Sequence, residues 1–183
     1  MSFLEIKDLK VHYPIRGGFF NKIVDHVLAV DGVDMEIEKG KTYGLIGESG
    51  SGKSTIGKAI IGLEKITSGE VIFDGKTLTK KMVRKDKEFT RDVQMIFQDN
   101  MASLDPKKRV IDIISEPLRN FEKMTVKEER KKVLELLDIV GMPGDALYKY
   151  SFEFSGGQRQ RIGVARAISL NPRLIIADEP VSA

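Results

Sequence analysis

Gly47-Glu48-Ser49-Gly50-Ser51-Gly52-Lys53-Ser54-Thr55 is the stretch on which the reading of this chain turns. It satisfies G-x-x-x-x-G-K-[ST] in full, and its flanks supply the context that the pattern requires. Upstream, Thr42 to Ile46 is almost entirely apolar, as expected of a strand buried on both faces. Downstream, Ile56, Ala59, Ile60 and Leu63 follow the i, i+3, i+4, i+7 spacing of a helix with one buried face. In the order strand, glycine loop, helix, the glycines let backbone N–H groups wrap phosphate oxygens, and the helix N-terminus adds partial positive charge. Lys53 is placed to reach the β- and γ-phosphates of a nucleotide, and the Ser54 hydroxyl to ligate Mg2+.

Two further segments suit the same chemistry. Leu174 to Ala177 reads as a buried strand that ends in Asp178-Glu179. A hard Mg2+ keeps several waters, so one carboxylate and one hydroxyl suffice beside the phosphates, with Asp178 as the carboxylate. Glu179 is then the group that polarises the attacking water. Ser155-Gly156-Gly157-Gln158 opens a helix running to about Ser169, where a hydroxyl and two glycines offer a second anion site. Read alone, the first pair is an ordinary turn and the second a capped helix; the glycine loop upstream favours the chemical reading of both.

The rest of the chain organises around these segments. Phe3, Ile6, Leu9, Val11 and Tyr13 alternate loosely, and Val33, Met35 and Ile37 strictly, as in antiparallel strands. Pro14 to His26, with Gly17-Gly18, reads as a long loop excursion between them. Glu70 to Phe73 followed by Asp74-Gly75 reads as a strand and tight turn, and Val93 to Phe97 as another buried strand. Residues 106–150 change character: Thr125 and Glu128 fit a capping box, and Val133, Leu136, Leu137 and Val140 form a stripe that stops at Gly141.

Composition excludes several alternatives. The 183 residues fit one domain, or one with a small subdomain, and 30 Lys+Arg against 27 Asp+Glu leave a net charge of +3, too little to argue for nucleic acid. With no cysteine, the chain offers no disulfide, thiolate metal site or cysteine nucleophile. No segment approaches the roughly 20 apolar residues of a membrane helix, and the start lacks an export signal, so the expected location is the cytoplasm. The basic run Lys80 to Lys87 is interrupted by an acid and has no aromatic platform, so it reads as a solvated face. His12 and His26, without a second histidine or a carboxylate at ligand spacing, read as surface residues.

The phosphate loop, Gln98 after an apolar strand, Phe154-Ser155-Gly156-Gly157-Gln158, and Leu174-Ile175-Ile176-Ala177-Asp178-Glu179-Pro180 stand in the order and spacing of an ABC transporter nucleotide-binding domain. The resemblance covers essentially the whole chain. Within that family, Phe97-Gln98-Asp99, Ser103-Leu104-Asp105-Pro106 and Ala177-Asp178-Glu179-Pro180-Val181-Ser182-Ala183 are similar to the oligopeptide, dipeptide and nickel importer branch. The fold implied is α/β: a phosphate-loop ATPase core with an N-terminal antiparallel β subdomain and an inserted helical subdomain. Its parts would be residues 1–105 for the β subdomain and loop core, 106–155 for the helical part, and 156–183 for the signature helix and last strand.

What the resemblance implies is an ATPase that works in head-to-tail pairs on the inner face of a membrane. ATP and Mg2+ would be held by Gly47, Glu48, Ser49, Gly50, Ser51, Gly52, Lys53, Ser54 and Thr55. Gln98 would join Ser54 and Asp178 in sensing the metal, and Gln98, Glu179 and Lys53 would serve hydrolysis. Ser155, Gly156, Gly157 and Gln158 would serve the partner's ATP. Tyr13 would either stack on adenine or simply pack. Permease subunits would dock on the segment after Gln98 and the helical part, and a solute-binding protein would act indirectly. Oligopeptides or dipeptides are the expected cargo, with nickel second. The alternatives are a soluble ABC ATPase without a transport role, or a nucleotide-binding fragment without turnover.

Three departures from the family pattern stand out. Phe154 occupies a position often held by Leu, and Ser151 and Phe152 replace Pro and His, differences expected to touch packing ahead of the signature. Both histidines precede the phosphate loop, so neither can play the part of the family's γ-phosphate histidine. The expectation is a C-terminally shortened cassette that binds nucleotide and hydrolyses it poorly.

Overall fold

The computed structural model describes residues 2–18, 20–79, 83, 86–97 and 104–179. They fall into two compact units, residues 1–86 and 87–183.

The first unit is built on a long antiparallel hairpin, β1 (Ser2–Gly17) with β2 (Lys22–Glu38). β3 (Ser68–Phe73) and β4 (Lys76–Thr77) extend it, in the order β2-β1-β3-β4. Residues expected to form a loop excursion after Pro14 instead continue the ladder out to the pair Gly17 and Lys22. The apolar, β-branched residues Ile15, Ile23 and Val24 favour that extension. Gly18, at φ 72°, turns the chain, and the Asn21 N–H donates to its carbonyl at 3.1 Å. A second tight constraint lies where β1 bulges between Ile6 and Leu9. There Gly69, at φ +88°, lies so close to β1 that a Cβ would come within 2.2 Å of the Asp8 carbonyl oxygen.

Helix α1 (Lys53–Ile60) covers the sheet with Ile56, Ala59 and Ile60, joining a core of Leu4, Ile6, Leu9, Val11, Val30, Val71 and Phe73. Leu63, expected on the buried stripe, lies beyond the helix end and is exposed. The larger correction concerns Thr42 to Ile46. These residues form no strand, and all are exposed. A strand buried on both faces needs a ladder on its edges and cover above and below. The β2-β1-β3-β4 sheet gives this run neither.

In the second unit, α2 (Lys87–Asp92) leads into β5 (Val93–Ile96), which pairs in parallel with β6 (Leu174–Ala177) from Val93 opposite Leu174 to Ile96 opposite Ala177. β6 is not buried on both faces as its composition suggested. Its residues alternate between half-buried and exposed.

Between these strands lie α3 (Val110–Phe121), α4 (Val126–Ile139), short 3-10 turns at Gly144–Tyr148 and Ser151–Glu153, and α5 (Gly156–Ile168). The Thr125 and Glu128 capping box forms as expected, and Gly141 ends the stripe at φ 65°. Val110, Ile113, Ile114, Val133, Leu136, Leu137, Leu147, Phe154, Ile162 and Ala165 share one buried cluster. α5 therefore belongs to the same core as the preceding helices.

At the surface of that cluster, the Arg119 guanidinium bridges Asp112 at 3.1 Å and Glu129 at 2.6 Å. Its hydrogen bond holds the Glu129 carboxyl below its ordinary range. A carboxyl depressed in the folded state stabilises above its unfolded pKa and ceases to do so as pH falls through the folded value. The stability difference between the wild type and Arg119→Gln should therefore be full at neutral pH and shrink below about pH 4, where glutamate protonates. Urea midpoints at pH 7 and pH 3.5 check this. Leu137→Ala, in the fully buried stripe, should cost about 2–5 kcal/mol in the same assay.

Candidate functional site

Each unit carries candidate residues. In the first, the glycine loop enters α1 through Gly52, whose φ of +89° only glycine adopts cheaply. A Cβ there would stand 2.2 Å from the Ala29 carbonyl oxygen, and one at Gly47 would stand 2.6 Å from the Ser51 Oγ. The loop can thus close against β2 only with glycine at position 52. No side chain caps α1. Its opening N–H groups, which the helix itself cannot pair, are suited to phosphate oxygens.

Lys53 folds over this loop. Its Nζ donates to the carbonyls of Gly47 at 2.8 Å and Glu48 at 2.7 Å, and to Ser51 Oγ at 3.4 Å. These bonds centre the ammonium above the loop where phosphate charge would lie. Ser49, Gly50, Ser54 and Thr55 complete the segment, with Gly50 at φ 81°. Tyr13, 38% exposed, sits on the same unit. Burial raises its phenol pKa, the Glu64 carboxylate adds to the rise through a hydrogen bond and its charge, and a hydrogen bond with Thr55 opposes it. Thr55 contact brings the ring to the end of the phosphate loop.

In the second unit, the parallel register carries the C-terminal ends of β5 and β6 to a common edge, where the Asp178 N–H donates to the Ile96 carbonyl at 2.9 Å. Ligand groups of parallel sheets gather at such edges. Glu179 follows at φ 47°, a left-handed conformation uncommon outside glycine and asparagine. Gln98 lies outside the described residues.

Ser155 N-caps α5 in a full capping box. The Gln158 N–H donates to Ser155 Oγ at 3.4 Å, and the Ser155 N–H donates to Gln158 Oε1 at 3.0 Å. Two contacts anchor this start. Phe154 is inserted into the helical core at 7% exposure, and the Arg159 Nε donates back to the Phe154 carbonyl at 3.1 Å. Along the helix, Arg161 donates to the carbonyls of Val140 at 3.4 Å and Gly141 at 3.2 Å, tying α5 to the end of α4. Sequence reading gave Arg159 and Arg161 no part in the site. A guanidinium serving carbonyls 20 positions away leaves no local pattern. Nothing lies within 4 Å of where a Gly157 Cβ would stand. The fold itself places no steric demand for glycine there, in contrast to Gly52.

Ser54 in the first unit offers a hydroxyl and Asp178 in the second a carboxylate, each a hard oxygen of the kind that suits Mg2+. Among the described residues no group of three or more His, Asp or Glu side chains could hold a metal alone.

Comparison with known proteins identifies the family. The ABC transporter family profile matches residues 30–182. The chain is 62% identical over 182 residues to the oligopeptide transport ATP-binding protein OppF of Lactococcus lactis subsp. lactis (strain IL1403), covering 100% of this chain and 57% of that protein. Against the oligopeptide transport ATP-binding protein AppF of Bacillus subtilis (strain 168), identity is 49% over 183 residues, covering 100% of this chain and 56% of that one. The ATP-binding cassette MJ0796, solved as a dimer in a post-hydrolysis state bound to ADP and Pi, matches with a TM-score of 0.85 at 30% identity, over 98% of this chain and 75% of that one. The chain belongs to the ABC transporter family, and its fold is that of an ABC ATPase cassette. It spans little more than half the length of the curated relatives it matches.

The contrast between the two glycines yields a test of stability. Gly52→Ala should lower the melting temperature, since the added Cβ meets a backbone carbonyl. Gly157→Ala should leave it unchanged or raise it, because alanine favours helix by about 1 kcal/mol where space is open. Thermal melts followed by circular dichroism distinguish the two.

Proposed function

We propose that this chain is the ATP-binding and ATP-hydrolysing portion of an ABC importer subunit, taking up oligopeptides or dipeptides. The observation that carries the reading is the uncapped start of α1 inside a glycine loop whose lysine is already held above it by the Gly47 and Glu48 carbonyls. The similarity to peptide-transport ATP-binding proteins supports the cargo.

In this reading, Gly47 to Thr55 cradle the phosphates of ATP through backbone N–H groups, and Lys53 exchanges its loop carbonyls for β- and γ-phosphate oxygens. Ser54, Asp178 and Gln98 hold Mg2+, which neutralises phosphate charge when bound. Glu179 accepts a proton from the attacking water, and Gln98 helps to orient that water. Tyr13 supplies an aromatic face for adenine.

Ser155, Gly156, Gly157 and Gln158 act on the nucleotide of a second cassette. The Ser155 hydroxyl, whose lone pair is engaged by Gln158, keeps its O–H to donate. The open space at Gly157 lets a phosphate approach the backbone. The working unit is a pair of cassettes beneath permease subunits at the inner membrane face, served by a solute-binding protein outside. No described helix is long and apolar enough to cross a membrane.

Full-length protein assembled with its permease tests the reading. Glu179→Gln should retain ATP binding and lose about 100-fold or more of turnover, as removal of a general base does. Lys53→Ala should lose nucleotide binding itself. Glu179→Gln protein that hydrolyses ATP at the wild-type rate, or Lys53→Ala protein that binds it undiminished, would overturn these assignments. Peptide uptake lost in both variants would support the cargo, and undisturbed peptide uptake would refute it.

A further inference from the structure

α1 ends in a turn that fixes the residues following it from both sides. Gly62, at φ +68°, reverses the chain, and its N–H donates to the Ala59 carbonyl at 3.0 Å. The Leu63 and Glu64 N–H groups donate to the Lys58 carbonyl at 2.9 Å and 3.2 Å. Such bonds close a helix that ends on a left-handed glycine. Three residues further on, the Thr67 N–H donates to the Lys10 carbonyl at 2.8 Å, and the His12 N–H donates to Thr67 Oγ1 at 2.9 Å, tying the segment to β1. Glu64 is thereby held, half-buried, between the end of α1 and the strand that carries Tyr13.

The start of α1 reaches the same tyrosine. Gly52 presses on the Ala29 carbonyl of β2, and Val27, two residues before Ala29, pairs with Tyr13. Thr55, three residues after Gly52, and Glu64 both hydrogen-bond the Tyr13 phenol. Burial raises the phenol pKa, and of the two bonds that of Glu64 adds to the rise while that of Thr55 opposes it. The phenol therefore donates to the Glu64 carboxylate and accepts from the Thr55 hydroxyl. Hydrogen bonds thus run in one direction, from Thr55 at the phosphate loop, through Tyr13, to Glu64. The carboxylate is the last acceptor, and a charged acceptor makes the stronger bond.

We propose that Glu64 is a positioning residue for nucleotide binding: by accepting the hydrogen bond of the Tyr13 hydroxyl, it fixes the ring as a platform for adenine before the nucleotide arrives. The proposal rests on the reading of Tyr13 as the adenine platform put forward above. It gives Thr55 two tasks, a backbone N–H that serves phosphate and a hydroxyl that orients the ring. The base and phosphate ends of a nucleotide then meet groups set at a fixed separation. A ring immobilised in advance loses less conformational freedom on binding, and the gain falls only on ligands that carry a base.

The test is isothermal titration calorimetry of full-length protein with ADP–Mg2+ and with pyrophosphate–Mg2+, ligands that share their phosphate groups and differ in the base. Glu64→Ala should weaken ADP binding about fivefold or more and leave pyrophosphate binding unchanged, a split that a general loosening of the fold does not produce. Glu64→Gln, which keeps an oxygen acceptor, should recover most of the loss. Tyr13→Phe keeps the ring and removes both bonds; it should match Glu64→Ala, and the double variant should bind no more weakly than either alone. Glu64→Ala protein that binds ADP as the wild type does, or that loses ADP and pyrophosphate affinity by the same factor, would overturn the inference. Tyr13→Ala decides the reading beneath it. Undiminished ADP binding in that variant overturns the adenine platform and the inference together, whereas a loss in Tyr13→Ala with none in Glu64→Ala overturns the inference alone.

Discussion

An α-helix begins with backbone N–H groups that have no partner within it, and much of this molecule follows from how each helix start answers that need. α4 uses Thr125 and Glu128, a closed local solution that leaves nothing for a visitor. α5 uses Ser155 and Gln158 in the same arrangement, but places glycines at its first two positions and keeps the surrounding space open. α1 uses no side chain at all and is entered through a left-handed glycine pressed against the Ala29 carbonyl. The three starts thus form a series from a closed cap, through a cap with open space beside it, to a start with no side-chain cap.

The core of the second unit explains why the shared start can be held rigidly. Phe154 and Ile162 insert from α5 into the cluster made by α3 and α4, and Arg161 clamps the carbonyls at the end of α4. α5 is thereby packed into one core with α3 and α4. Any event that shifts α3 or α4 would be transmitted to Ser155 and Gly157 through packed side chains.

Features written in local spacing were legible in the sequence. The glycine loop, the Thr125 and Glu128 capping box, the Ser155 cap, the Asp74-Gly75 turn and the stripe ending at Gly141 are each set by residues within a few positions of one another. What depended on distant partners was harder to read. Thr42 to Ile46 has the composition of a buried strand, but composition does not supply a neighbouring ladder. β6 has apolar residues at every position, while only alternate ones are half-buried. The excursion after Pro14 was misread because a glycine pair and a proline outweighed the β-branched residues that continue the hairpin. The glycine-loop pattern and the helix it opens were readable residue by residue. The grip of Arg159 and Arg161 was not, since both act on backbone carbonyls set by tertiary packing.

The left-handed backbone at Glu179 bears on how two adjacent carboxylates can share a task. Along an extended strand, neighbouring side chains project to opposite faces, so Asp178 and Glu179 would be parted by the sheet itself. A residue at φ 47° ends that alternation two residues beyond the end of β6. The rule that separates neighbours is thereby lifted, and under the proposed function a single dipeptide would supply both a metal ligand and a proton acceptor. The conformation costs about 1 kcal/mol for a residue other than glycine. Under that proposal its return is economy of position, with two acidic groups supplied from one strand end.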